Sequence, residues 1–298
     1  MIDQSFILKI YILRSSNDNY IENKYKKIKI IKKIGEGSYG LVFLLNNDHV
    51  IKIFKNSTLK NTILNETNYL IPVKNENREL IFYYKYIDEK KENNYIIELY
   101  SIGLIQDSII DNKTKIELNS YFIILPLCRP FYNTFNIHNT PLINKKNGIN
   151  FTLKVMKRLI QISEFLENKY NIINLDFKLN NFMFKNKSNN LENLVMLDFS
   201  ITKKKTKIKY NIDNNYYIWP NNNNISIEYF PPYSTCINGL ELLFGYKSII
   251  NIKNENKLES YLKIIKEKDK NIYDIFFNGL ILKINTENFL KLLNSLIT

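Results

Sequence analysis

Two cysteines and two histidines are all that this 298-residue chain carries, and their placement excludes several classes of protein. Cys128 and Cys236 have no paired spacing, so a disulfide framework is ruled out; His49 and His138 stand apart, so no zinc cluster is expected. A reducing compartment fits. Apolar runs are short: Phe6 to Leu13 is broken by Lys9, followed by Arg14 and lacks a small-residue cleavage site, so neither a membrane span nor a leader is expected. The expectation is a soluble, intracellular, cytoplasmic protein. No repeat of twenty or more residues recurs, which argues against a solenoid. Acidic residues are scarce, 29 against 42 Lys and Arg, giving a net charge of +13 and a pI near 9.3. Lysines gather in Lys24 to Lys33, Lys203 to Lys209 and Lys247 to Lys270. Such a surface attracts acidic or phosphorylated proteins, nucleic acid or anionic lipid, or is simply solvated.

What is present suffices for a folded core. Hydrophobic residues make up 45% of the chain, with 18 Phe and 21 Tyr, which excludes disorder throughout. From Phe151 to Tyr170, Leu153, Met156, Ile160, Phe165 and Leu166 recur every three to four residues and predict an amphipathic helix. The last fifty residues also read as helical, with Phe289, Leu290, Leu292, Leu293 and Leu296 forming an apolar stripe that closes a core. Two polar stretches, Lys185 to Asn193 and Asn211 to Asn224, punctuate the pattern.

The chemistry-bearing segment is Asn174-Leu-Asp-Phe-Lys-Leu-Asn-Asn181, with Asp198 seventeen residues further on. Phosphoryl transfer to an alcohol needs an acceptor for the hydroxyl proton, a cation for the developing charge and oxygen ligands for magnesium. Asp176, Lys178, Asn181 and Asp198 supply those types. Taken alone, so short a string fits a solvated turn better than a catalytic loop. A second motif, Gly35-Glu36-Gly37-Ser-Tyr-Gly40-Leu-Val42, lies between the strand-like runs Lys27 to Ile34 and Leu41 to Leu45. Backbone without side chains can close over phosphates. A dinucleotide fold would place a helix after these glycines, whereas a β-branched run follows here. Val50-Ile-Lys52-Ile-Phe reads as the next strand, its lysine either snorkelling to the surface or reaching phosphates under the glycine turn.

In order, GEGSYGLV, VIK, NLDFKLNN, LDFS and SIEYF resemble the motifs of eukaryotic-type serine/threonine protein kinases, over about residues 28 to 245. The resemblance implies an α+β, bilobal protein-kinase-like fold. Residues 1–27 would be an N-terminal extension with room for a further strand; 28–127 an N-lobe with a small antiparallel sheet and one helix; and 128–298 a mainly helical, reduced C-lobe. It implies ATP and Mg2+ as cofactors and protein Ser/Thr hydroxyls as acceptors. Asp176 would be the catalytic base and Lys178 would steady the transferred phosphate, with Asn181 and Asp198 as magnesium ligands. ATP would be held by Gly35, Glu36, Gly37, Gly40, Val42, Lys52 and Met183, with Leu125, Pro126 and Cys128 beside the adenine. Glu66 would pair with Lys52 from a helix starting at Ser57 or Thr58, with Ile63, Glu66 and Leu70 on one face.

Departures from the family pattern are specific. Asn174-Leu175 replaces His-Arg, Ser200 replaces a glycine, Tyr233 stands where a glutamate is usual, and no arginine follows Arg158. No aspartate lies between Asp213 and Asp269, where the next helix usually carries an acidic anchor. The trimmed C-lobe and the Asn, Ile and Lys bias resemble the compact kinases of large DNA viruses, poxvirus-like ones among them. Six matching polar positions favour an active enzyme. The departures favour the alternative, a pseudokinase that binds nucleotide or scaffolds a partner. A basic nucleic-acid-binding module is a third reading, but no recognised DNA- or RNA-binding motif supports it.

Overall fold

A computed structural model describes residues 6–15, 24–37, 40–45, 48–55, 62–64, 70–72, 83, 94–107, 109–111, 114–116, 120–135, 140–185, 189–199, 202–205, 209–210, 225–245 and 255–297. The chain divides into two compact units, Met1–Cys128 and Arg129–Thr298.

The first unit is built from antiparallel strands: β1 (Phe6–Ser15), β2 (Lys24–Glu36), β3 (Gly40–Leu45), β4 (His49–Phe54), β7 (Ser101–Ile105) and β10 (Tyr121–Pro126). They form a closed barrel in the order β1-β2-β3-β4-β10-β7, shut where Ile10 of β1 pairs with Ile105 of β7. Alternation explains the closure. Leu8, Ile10 and Ile12 of β1 point inward and meet Ile30, Leu41, Phe43, Leu45, Ile51, Ile53, Ile105 and Phe122 in one buried cluster. Each such side chain contributes about 1.5–3 kcal/mol when removed from water. Gly103 sits on the closing seam. A Cβ there would lie 2.1 Å from the Tyr11 carbonyl oxygen and 2.8 Å from the Phe122 ring.

This barrel corrects the expected bilobal kinase fold, whose N-lobe is a small sheet with one helix. The period-two apolar pattern of β1 gives β2 and β7 a common neighbour, and the sheet closes. The helix expected after Ser57 is also corrected. Ile63 and Leu70 lie on a two-stranded hairpin, β5 (Thr62–Leu64) paired with β6 (Leu70–Pro72). β-Branched Thr62, Ile63 and Ile71 favour extended backbone, and Pro72 lacks the N–H a helix would use. A second hairpin joins β8 (Ile109–Asp111) to β9 (Thr114–Ile116).

The second unit begins with β11 (Arg129–Pro130) and the short helix α1 (Phe131–Phe135), then the long helix α2 (Gly148–Tyr170). The predicted period holds: Leu153, Met156 and Ile160 are buried, as are Leu159, Ile162 and Leu166. The helix stops at Asn171, whose φ of 55° and ψ of 38° are left-handed and whose N–H bonds back to Glu167 and Leu166. Short strands follow: β12 (Ile172–Asn174), β13 (Phe182–Phe184), β14 (Leu194–Met196), β15 (Thr202–Lys204), β16 (Lys209–Tyr210) and β17 (Ile225–Ser226). The helices α3 (Phe230–Phe244), α4 (Glu255–Lys268), α5 (Lys270–Leu280) and α6 (Thr286–Leu296) complete the unit. Gly239 lets α3 approach α2, since a Cβ there would lie 2.5 Å from the Met156 Sδ. Asp269 and Asn285 cap α5 and α6 by accepting backbone N–H bonds. Of the apolar stripe on α6, Phe289 and Leu293 are fully buried while Leu292 is exposed.

Two buried charged side chains tie α2 to its surroundings. Arg158 donates to the carbonyls of Glu192 at 2.6 Å and Leu194 at 3.1 Å. Glu167 accepts from Thr286 at 2.5 Å and from the Lys205 ammonium at 2.8 Å. Among the described residues, no helix is long and apolar enough to cross a membrane.

Candidate functional site

The segment from Asn174 to Asp198 is assembled by two small strand pairs. β12 pairs with β15, placing Asn174 opposite Thr202, and β13 forms a hairpin with β14, so that Phe182 faces Met196. Leu197 N–H then reaches the Asn181 carbonyl at 3.0 Å, which brings Asp198 back beside the loop it left. Within that loop, apolar and polar residues alternate. Phe177 and Leu179 are each 1% exposed and anchor it, whereas Asp176 and Lys178 remain partly open to solvent.

Asp176 is the hub. One carboxylate oxygen meets the Lys178 ammonium at 2.9 Å, and the other accepts from the Asn181 Nδ2 at 2.9 Å. The same Nδ2 also reaches the Asp176 carbonyl at 2.7 Å. With its amide nitrogen thus committed, Asn181 has its Oδ1 left to ligate a cation. Asn174, 2% exposed, donates from Nδ2 to the Asp198 carbonyl at 2.5 Å and accepts the Asp176 N–H at 2.8 Å. One buried amide therefore sets the separation of the two carboxylate-bearing backbones.

A further amide holds the loop from below. Asn238 on α3 is 2% exposed, accepts from Leu179 N–H at 3.1 Å and donates to the Phe177 carbonyl at 3.0 Å. Its sequence signal is a lone amide between Ile237 and Gly239-Leu240 in a largely buried helix. An anchor sought as an aspartate misses it, because the loop offers one N–H and one C=O, which a neutral amide satisfies and a carboxylate cannot.

The predicted phosphate-binding residues of the first unit fall on the barrel. Gly35 pairs with Val42, Val42 with Lys52 and Lys52 with Ile123, one row across β2, β3, β4 and β10. The Lys52 Nζ lies 5.4 Å from the centroid of the Phe54 ring. The glycine turn is tight: Gly37 N–H bonds to the Gly40 carbonyl at 2.9 Å, and a Cβ on Gly40 would lie 2.6 Å from the Ile53 oxygen. Lys55, which the motif reading passed over, pins this turn by donating to Glu36 at 3.0 Å and to the Gly37 carbonyl at 3.1 Å. Hydrogen bonds from Lys33 and then Lys55 hold the Glu36 carboxyl below its ordinary range. Leu125 is buried near the end of β10, Pro126 closes that strand, and Cys128 is half-buried beyond it. Met183 lies on β13 in the second unit, opposite Pro130 and Val195. Glu66 and Ser200 lie outside the described residues.

Ser226, the first residue of the SIEYF motif, sits on β17 opposite Lys209, and its hydroxyl donates to Glu228 at 3.3 Å. On α3, burial pushes the Glu241 carboxyl up to about 8, and the Tyr132 hydroxyl donates to it. Among the described residues, no group of three or more His, Cys, Asp and Glu side chains gathers as a metal centre. Comparison with models of known families gives no match, and comparison with curated proteins gives none either.

Proposed function

We propose that this chain is a serine/threonine protein kinase that moves the γ-phosphoryl group of ATP onto a protein hydroxyl. One observation carries the reading: Asp176 holds both the Lys178 ammonium and the Asn181 amide at 2.9 Å in a single loop. The proposal rests on this constellation and on the order of the motifs, and it asks nothing of the bilobal fold that the barrel replaces.

The Asp176 carboxylate takes the proton of the acceptor hydroxyl as that oxygen bonds to phosphorus and the bond from phosphorus to the ADP oxygen breaks. Lys178 sits one ion-pair length from that carboxylate, where its charge stabilises negative charge building on the transferred group. Asn181 and Asp198 fit magnesium, which prefers hard oxygen ligands and keeps several waters; when bound, it neutralises phosphate charge. Asn174 and Asn238 position these groups without touching the substrate.

The test is transfer of labelled γ-phosphate to one basic and one acidic protein acceptor with magnesium present, comparing wild type with Asp176→Asn and Lys178→Met. Each substitution should lower transfer by about 100-fold or more. Wild-type transfer no greater than that of Asp176→Asn on both acceptors would overturn the reading. If ATP nevertheless raised the melting temperature, a nucleotide-binding scaffold would take its place.

A further inference from the structure

The outer face of β1 and β2 carries a surface that phosphoryl transfer does not use. Three successive cross-strand pairs lie on it: Tyr11 with Tyr25, Lys9 with Lys27, and Ile7 with Lys29. The alternate pairs, Leu8 with Ile28 and Ile10 with Lys26, lie on the opposite face, where Leu8 and Ile10 are fully buried and Lys26 stays exposed, so the six side chains share one face. Tyr25 is 72% exposed and Ile7 66% exposed, and Lys27 and Lys29 are exposed too. Past a register shift between Ile30 and Lys32, Lys32 lies opposite Leu44 and is exposed, extending the row along β2.

Two features separate this face from an ordinary solvated one. Lys9 and Lys27 are directly opposed, an arrangement of like charges that weakens strand pairing. The burial of Leu8, Ile10, Ile12 and Ile30 on the other side outweighs that cost. Asp107, which pairs with Lys9 at 3.9 Å, offsets one of the charges. The tyrosines, meanwhile, lie side by side with ring centroids 4.8 Å apart and planes tilted by 52°. A largely bare aromatic ring beside a lysine row offers a stacking platform next to cations.

We propose that this face of the barrel binds single-stranded nucleic acid, with Lys27, Lys29 and Lys32 along the phosphates and Tyr25 stacking on a base. Both halves of the surface are then used: lysines neutralise phosphates and release counterions, and the ring meets the π-face that every base has. A duplex hides its base faces and uses only the lysines. An anionic lipid surface also uses only the lysines, and Ile7 is too small an apolar anchor to favour it.

The experiment measures binding of the full chain to fluorescent oligothymidylate and oligouridylate, to a duplex of equal length, and to phosphatidylserine-containing vesicles, over a salt series without ATP. The expected result is preference for the single strands. Lys27→Glu with Lys29→Glu should weaken their binding by about tenfold or more and lower the slope of log affinity against log salt by about one per lysine. Tyr25→Ala should cost about 5- to 100-fold on single strands and little on the duplex, with Tyr25→Phe restoring the affinity. Because these side chains are exposed, unchanged melting temperatures separate lost binding from lost folding. Indifference of single-strand binding to Tyr25→Ala would reduce the surface to diffuse charge attraction and overturn the proposal. Unchanged binding by the double lysine variant, or binding to vesicles but not to oligonucleotides, would overturn it too.

Discussion

Asn174 donates its side-chain amide to the Asp198 carbonyl at 2.5 Å, so a residue at the end of one short strand holds the backbone of an aspartate just past another. Through its Oδ1 the same side chain fixes the Asp176 N–H at 2.8 Å. Asn174→Leu keeps the volume but removes one hydrogen bond from the part-buried Asp198 carbonyl and one from the part-buried Asp176 N–H, at about 0.5–1.5 kcal/mol each. The expected outcome is a lower unfolding midpoint in denaturant and a transfer rate reduced by tenfold or more, as about 1.4 kcal/mol of lost positioning gives. Wild-type values for both would show that Asn174 does not position the two aspartates.

Asn238 tests the support beneath the loop. Asn238→Leu strands the Leu179 N–H and the Phe177 carbonyl and should destabilise the second unit by about 2–4 kcal/mol. Asn238→Asp can still accept from Leu179 but faces the Phe177 carbonyl with a second acceptor. Its stability should lie between wild type and the leucine variant. Chemical denaturation orders the three, and an aspartate variant as stable as wild type would contradict the assigned amide orientation.

Glu241 gives a pH dependence of defined sign. Its carboxyl titrates near 8 in the folded chain and near its ordinary value of 4.5 when unfolded, so the folded state binds the proton more tightly. Stability should therefore be unaffected by this group below about pH 4.5, fall as pH rises through the window up to 8, and level off above it. The full effect is about 3 to 5 kcal/mol at 1.36 kcal/mol per pKa unit. Glu241→Gln still accepts from Tyr132 and should flatten the curve in urea melts across that range. Parallel curves for the two proteins would rule out the assignment.

At the barrel seam, Gly103→Ala would force a Cβ to 2.1 Å from the Tyr11 oxygen, so β1 and β7 must part. Overpacking of this kind costs about 1–3 kcal/mol or more. Hydrogen exchange should show lost protection at the β1–β7 pairing while the inner β3–β4 amides stay protected. Uniform protection would mean that the strand shifts instead of opening.

Local chemistry is legible in the sequence; distant pairing is not. The runs of β2, β3 and β4 and the stripe of α2 were visible because period two and period 3.6 are written into consecutive residues. The loop from Asn174 to Asn181 was readable for the same reason, since Asp176 meets Lys178 and Asn181 within five positions. Closure of the barrel depends on Ile10 finding Ile105, a partner no local window can indicate. The helix expected around Ile63 follows from family resemblance, and the β-branched Thr62, Ile63 and Ile71 supply the contrary signal. Asn174 looked like a departure from a pattern, and only its two bonds reveal it as a brace.

That pairing of Ile10 with Ile105 also sets an order of events during synthesis. A ribosome must release almost the whole of the first unit before β1 can find β7, and β10, which joins β4 to β7, emerges last. Until then the barrel strands can form only an open sheet, β7-β1-β2-β3-β4, with unpaired edges at β7 and β4 and the loop-closure entropy still opposing assembly. Holdase chaperones should engage the stalled chain until the sequence through Pro126 is free, and let go once it shuts.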